Sequence, residues 1–438
     1  MIETPINKNI VDTKRKELNI PSVATASIRE ITKLINELEI ATGNAFIRME
    51  MGVPGIEPAT VAIDAEIAAL RRGVASKYPN IEGVPELKVE MARFVKNFVG
   101  VDIPQSCCVP AVGSMQGGMA AFLVAARCTA GKDTMLFIDP GFPVQKTQMQ
   151  VLGLKHEAFD VYNYRGDKLR EKLESYLSKG NIASIIYSNP NNPSWISFTE
   201  KELKVIAELA EKYDVIIIED LAYFGMDFRT DISASGEPPY QPSVINYTDN
   251  CVLLISSSKA FSYAGQRIAF VAFPEKLGKR RFPDLKRNFM FDEFSRCMIF
   301  GALYALSSGV AHSVQYGFAA LLKAANDGTF NFIEHTRVYG EKAKIMKRLF
   351  LDNGFNLVYD NDDGEKLADG FYFTVAYPGM DGEQLLSELL YYGISAISLA
   401  SAGSEHTNGL RACTSQIQMV QMPELEKRLK LFYQHHQN

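Results

Sequence analysis

The amino-acid sequence predicts a doubly wound α/β fold, a mostly parallel sheet covered by helices, with a smaller α+β domain after it. Three patterns carry this reading. Five short unbroken apolar runs, Met135–Ile138, Ile185–Tyr187, Val215–Ile218, Val252–Ile255 and Ile268–Val271, have the character of strands buried on both faces rather than the alternation of an open sheet. Amphipathic stretches such as Thr199–Lys212 lie between them, as in a parallel sheet wrapped by helices. From about Arg296 the chain changes to helical stretches (299–306, 314–325, 334–350), an alternating strand over 371–375, a helix over 383–392, a short strand over 410–413 and a last amphipathic helix over 423–433.

A chain of 438 residues is long enough for more than one core. The expected division is an N-terminal arm over 1–57 packing with the small domain, a large domain over 58–295 and the small domain over 296–438. A net charge of −5 supplies no basic face for nucleic acid. Residues 1–18 are polar with both charge signs, and no apolar stretch approaches the ~18 residues of a spanning helix. A soluble, cytoplasmic protein is expected. The six cysteines contain no Cys-x-x-Cys, so neither a metal site nor a disulfide framework is expected.

Along the arm, Ile28, Ile31, Leu34, Ile35 and Leu38 recur at helical spacing, and 46–55 becomes extended and punctuated by glycine and proline. Pro54 has no N–H, so any backbone contact from the Gly52-Val53-Pro54 turn has to come from a neighbour. Further on, Gly113-Ser114-Met115-Gln116 opens an apolar helix, and unpaired N–H groups at such a start make an anion site.

Ligands in doubly wound sheets bind at strand C-terminal ends, and the chemistry-bearing residues follow the apolar runs. Phe142 follows the first, Asn192 the second and Asp220 the third, with Tyr223 three residues on. A buried carboxylate such as Asp220 needs a partner, which a protonated pyridine nitrogen would supply. Val252–Ile255 runs into Ser256-Ser257-Ser258-Lys259, and Arg267 follows eight residues after the lysine. Three hydroxyls, an amine and a guanidinium form a phosphate site with a nucleophile in its middle. A lysine beside another cation loses proton affinity and becomes competent to form a Schiff base with an aldehyde. Pyridoxal 5'-phosphate is the phosphorylated aldehyde this suits.

Here the sequence resembles the class I/II aminotransferases, fold-type I pyridoxal-phosphate enzymes. Ser256-x-Ser258-Lys259 with Arg267 matches their lysine motif, and Asp220-x-Ala222-Tyr223 matches their Asp-x-Ala-Tyr pattern. Ser188-Asn189-Pro190-Asn191-Asn192-Pro193-Ser194 resembles Asn-Pro-x-Asn-Pro-Thr-Gly, with Trp195 at the glycine, so a different backbone conformation is expected there. The resemblance implies an aspartate-aminotransferase-like fold with a seven-stranded-type sheet. It implies that Lys259 bonds the cofactor and shuttles the substrate proton. Asp220 would hold the pyridine nitrogen, Asn192 and Tyr223 would donate to the 3' oxygen, and Phe142 would stack on the ring. Ser114, Met115, Gln116, Ser256, Ser258 and Arg267 would hold the phosphate, joined by Tyr78 of the other subunit of a homodimer. Arg411 would grip the substrate carboxylate, with Asn192 and Val53 beside the substrate.

The implied activity is amino-group transfer to a 2-oxo acid such as 2-oxoglutarate, by a ping-pong cycle. A lyase or decarboxylase using the same residues remains the alternative within the fold. An aminotransferase-like effector sensor is the remoter one, since the segment before Gly52 is short for a DNA-binding domain. Arg411 is one carboxylate clamp, and Arg287 or Arg296 would be needed as a second for a dicarboxylate. Phe46, Trp195 and Phe224, close to the motifs in sequence, favour a neutral amino donor.

Overall fold

The computed structural model describes residues 3–437. Its main sheet has seven strands: β1 (Cys108–Ala111), β2 (Thr134–Asp139), β3 (Lys155–Asp160), β4 (Ile182–Ser188), β5 (Ile216–Leu221), β6 (Cys251–Ser256) and β7 (Ala269–Ala272), in the order β1-β7-β6-β5-β4-β2-β3. β7 runs antiparallel to both neighbours, and the remaining pairs are parallel. All five apolar runs fall in this sheet, with Val215 and Ile268 one residue before their strands. The sequence carries no comparable signal for β1 and β3, and both are edge strands. Pro110 in β1 is tolerated because an edge strand can spare an N–H, and β3 is half polar because much of it meets solvent.

Alternate residues along each strand enter different cores, as a two-residue period requires. Leu136, Ile185, Ile217 and Leu253 pack with Phe94 and Phe98 of helix Pro85–Val99. Met135, Ile186, Ile218 and Leu254 pack on the other side with Ala120 and Val124 of helix Gly113–Ala125. Gly117 brings that helix close, because a β-carbon there would lie 2.8 Å from Val271 Cγ2. The parallel strands all end at one edge. Asp139, Ser188, Asp220 and Ser256 lie in the last two positions of β2, β4, β5 and β6.

A second apolar core joins the arm to the C-terminal part of the chain. Helix Ile28–Thr42 starts with a Ser27–Glu30 capping box, ends at Gly43 in the left-handed region, and buries Ile31, Leu34, Ile35 and Leu38. These side chains meet Leu385, Leu389 and Phe432, while Ile47–Arg48 pairs with Ile394–Ser395. A four-stranded antiparallel sheet orders Ile397–Ser398, Leu410–Cys413, Tyr372–Ala376 and Asn356–Leu357 side by side. The helical stretches before it differ in detail from the sequence pattern. The stretch expected over 334–350 divides at Arg337 into Phe332–Thr336 and Val338–Leu351, and the 299–306 stretch opens as a π-helix, Cys297–Leu303. Helix His312–Asn326 sends Val314, Phe318 and Leu322 into the core shared with the main sheet.

Candidate active site

Lys259 lies three residues past β6. Its amine donates to the Gly52 carbonyl and sits 5.7 Å from the centre of the Phe371 ring. Lys259 as a whole is half-buried. Burial pushes the amine down to about 8, with Arg267 and Arg411 adding repulsion. The neighbouring hydroxyls serve the loop itself: Ser257 donates to the Ile268 carbonyl at 2.6 Å, and Ser256 Oγ accepts from Ser258 N at 3.1 Å. The Gly52–Gly55 turn is held mainly through acceptors, which a proline permits. Val53 O takes bonds from Ser415 Oγ at 2.5 Å and Gln416 Nε2 at 3.0 Å, while Gly55 N donates to Tyr339 Oη at 3.0 Å.

Asp220 is buried beside this loop. Ala222 N donates to Oδ1 at 3.1 Å and Gln145 Nε2 to Oδ2 at 3.0 Å, yet burial still pushes the carboxyl up to about 6. Tyr223, also buried, donates to Tyr372 Oη at 3.0 Å. Arg411 reaches Asn192 Oδ1 at 3.4 Å and the Glu50 carbonyl at 2.5 Å, and its buried Nε has no partner among the described residues. The guanidinium carbon of Arg411 stands 4.6 Å above the Tyr372 ring.

The anion side is built by helix Gly113–Ala125 and Arg267. Gly113 (φ +69°) leaves its β-carbon position to Arg267, whose Nη2 is 2.6 Å from that point. Val112 gives the helix no side-chain cap, so N–H groups at its first turn have no helical acceptor. Ser114 is half-buried and Met115 exposed. Gln116 folds back, accepting from Val112 N at 2.6 Å and donating to Ser307 Oγ at 2.5 Å. Phe142 opens helix Pro143–Leu152, half-buried. Tyr78 is 92% exposed and so makes no enclosed contact within its own chain.

The family model described as aminotransferase class I and II matches residues 46–350. The chain belongs to this family. Among relatives of this aminotransferase is a probable aspartate aminotransferase of Methanocaldococcus jannaschii, 25% identical over 385 residues, covering 83% of this chain and 96% of the relative. The LL-diaminopimelate aminotransferase of the same organism is 30% identical over 254 residues, 56% of this chain and 57% of its own. In fold, the aminotransferase is similar to the alanine aminotransferase from Pyrococcus furiosus, with TM-score 0.75, 17% identity, and 96% of this chain and 99% of that one covered. A single mutant of the Thermus thermophilus aspartate aminotransferase also gives 0.75, at 16% identity, covering 93% and 96%.

Class I and II aminotransferases depend on pyridoxal phosphate, and the residues present fit it. Among the described residues Lys259 has no carboxylate partner, and burial makes its amine easier to deprotonate. Asp220 is a buried acid held by neutral donors alone. Arg267 faces an uncapped helix start.

Three side chains depart from the sequence-based picture. Phe224 points away from the site into a cluster with Phe94 and Phe332, at centroid distances of 5.0 and 6.2 Å. Phe46 is buried in the core of the arm. Trp195 was expected to impose a different turn, but it takes φ +66°, the left-handed region glycine favours. Backbone bonds from Trp195 N to Asn191 O and from Asn191 N to Ile196 O close that turn. The indole, fully buried, packs against Gly370 and edge-on to Tyr223 at 5.4 Å, which offsets the strained backbone. Two contributors carried no motif. Gln145 is marked only by falling one helical turn after Phe142, and Tyr372 needs the strand register to be seen facing Arg411.

Proposed function

We propose that this aminotransferase moves the amino group of a neutral amino acid to a 2-oxo acid such as 2-oxoglutarate, by a ping-pong cycle, as a cytoplasmic homodimer. The observation that carries the substrate class is Arg411, a buried guanidinium that reaches Asn192 Oδ1 at 3.4 Å and whose Nε has no partner among the described residues. Arg267 stands at the helix start, and Arg411 is the arginine placed to clamp a substrate carboxylate among the described residues. Arg287 is already paired with Asp284 at 2.7 Å, and Arg296 lies 3.9 Å over the Phe291 ring. With Phe46 and Phe224 turned into cores, Trp195 is the remaining bulky apolar neighbour from the sequence argument.

In this reading pyridoxal phosphate, when bound, supplies an electron sink for the substrate α-carbon. Lys259 Nζ, its proton affinity lowered by burial, would hold the cofactor and carry the substrate α-proton. Asp220, oriented by Gln145 and Ala222 N, would hold the pyridine nitrogen. Asn192 and Tyr223 would donate to the ring oxygen, Phe142 would cover the ring, and Ser114, Met115, Gln116, Ser256, Ser258 and Arg267 would hold the phosphate. Arg411 binds the α-carboxylate between Asn192 and the Gly52-Val53 turn.

The proposed division is an arm over 1–57, a cofactor-binding domain over 58–295 and a small domain over 296–438, with helix His312–Asn326 seated on the second. Among the described residues no helix is long and apolar enough to cross a membrane. The deciding measurement is kcat/KM for a panel of neutral amino acids against aspartate. Preference for a neutral donor is expected, and a more than tenfold preference for aspartate, ~1.4 kcal/mol, overturns the substrate class.

A further inference from the structure

Tyr372 joins three parts of the site, and no motif marks it. Strand Tyr372–Ala376 pairs with Leu410–Cys413 so that Tyr372 faces Cys413 and Thr374 faces Arg411. Directly paired residues share one face of a sheet, which puts the Tyr372 ring on the side of Arg411. Its ring lies beneath the Arg411 guanidinium at 4.6 Å. The Tyr372 hydroxyl accepts from Tyr223 at 3.0 Å and fills the space beside Gly52, where a β-carbon would come within 1.9 Å of it. The Gly52 carbonyl in turn holds the Lys259 amine. Among the described residues, the Tyr372 hydroxyl accepts this one bond and donates none, although a phenol has a proton to give.

We propose that Tyr372 is a positioning residue in which the ring seats Arg411 and the hydroxyl supports Tyr223, reversing to donate to Tyr223 when Tyr223 turns its own proton to the cofactor. This rests on the role proposed above for Tyr223. A phenol has a single proton, so Tyr223 cannot serve Tyr372 and the cofactor together. Reversal of the Tyr372 hydroxyl removes the conflict, and two hydroxyls polarised in one direction make the outer one the stronger donor. Arg411 and Cys413 are the titratable groups that face the pair from the neighbouring strand. Burial raises the Cys413 thiol, which keeps it neutral and leaves Arg411 as the fixed charge.

The test titrates the visible absorbance of the bound cofactor against pH in the holoenzyme, for Tyr372→Phe, Tyr372→Leu and Tyr223→Phe. A donor to the ring oxygen lowers the proton affinity of the conjugated system. Loss of the supporting hydroxyl in Tyr372→Phe therefore raises the midpoint, by roughly half a pH unit to one unit. Tyr372→Phe keeps the ring and holds the amino-acid KM within about twofold, whereas Tyr372→Leu loses the seat and raises KM about tenfold. An unchanged midpoint in Tyr372→Phe, with a moved midpoint in Tyr223→Phe, overturns the hydroxyl's role. If Tyr223→Phe leaves the midpoint unmoved as well, the role of Tyr223 fails and this inference with it. A parental KM in Tyr372→Leu overturns the seat for Arg411, and Tyr372→Met tests the same seat if the leucine variant does not fold.

Discussion

The Arg267 guanidinium occupies the place where Gly113 would carry a side chain, with Nη2 2.6 Å from an ideal β-carbon. The left-handed φ of +69° at Gly113 disfavours any other residue as well. Gly113→Ala therefore displaces the cation from the helix start. Absorbance titration of the cofactor-free protein with pyridoxal phosphate should show affinity weakened by about tenfold or more, ~1.4 kcal/mol. Parental affinity in this variant removes Arg267 and the helix start from the phosphate site.

Lys259 should carry the cofactor. Borohydride reduction followed by peptide mapping is expected to place the pyridoxyl group on this residue. The amine is pushed down to about 8, so its neutral fraction grows as pH rises through that value. When pyridoxal phosphate is added to the cofactor-free protein, the rate of borohydride-trappable labelling should climb with a midpoint near there. A label on another lysine refutes the site as drawn.

Asp220 gives opposite results in two assays. Turnover in Asp220→Asn should fall ~10²-fold or more, the usual effect of removing a preorganised charge. Stability of the cofactor-free protein should move the other way. The folded carboxyl titrates at about 6, above its ordinary 3.8, so the native state binds the proton more tightly than the unfolded one. Its ionised form thus costs stability progressively from about pH 4 to 6, and fully above that, by up to ~3 kcal/mol. Without cofactor, Asp220→Asn should melt higher than the parent at pH 7.5, with the gap closing below about pH 4. Equal melting at both pH values contradicts the buried, unpaired carboxylate.

Tyr78, 92% exposed in a single chain, suits a phosphate ligand only across a subunit boundary. Sizing at assay concentration should give a dimer, and Tyr78→Phe should weaken cofactor binding without changing the elution volume. Fully active monomers would refute the shared site.

The interior of the sheet was legible because strands covered on both faces are apolar throughout, whatever their register. The edges were not, since β3 is polar where it meets water and β1 carries Pro110. Motif and order along the chain marked Lys259, Asp220, Asn192 and Arg411, and the structure buries Asp220, Asn192 and Arg411. Side-chain direction was another matter. Phe224 is next to Tyr223 in sequence but points into the core, and Tyr372 becomes visible only once its strand is paired with Arg411's. Neighbourhood along the chain does not fix which way a side chain faces after a turn.

Trp195 is the single tryptophan of the chain, and it lies edge-on to Tyr223 and Tyr372, at 5.4 and 6.1 Å. The intrinsic fluorescence of the whole protein excited at the red edge therefore originates at one address, beside the candidate catalytic phenol. Cofactor loading, substrate entry and the substitutions at Tyr223 and Tyr372 can all be followed through that emission, with no label introduced and no second indole to subtract.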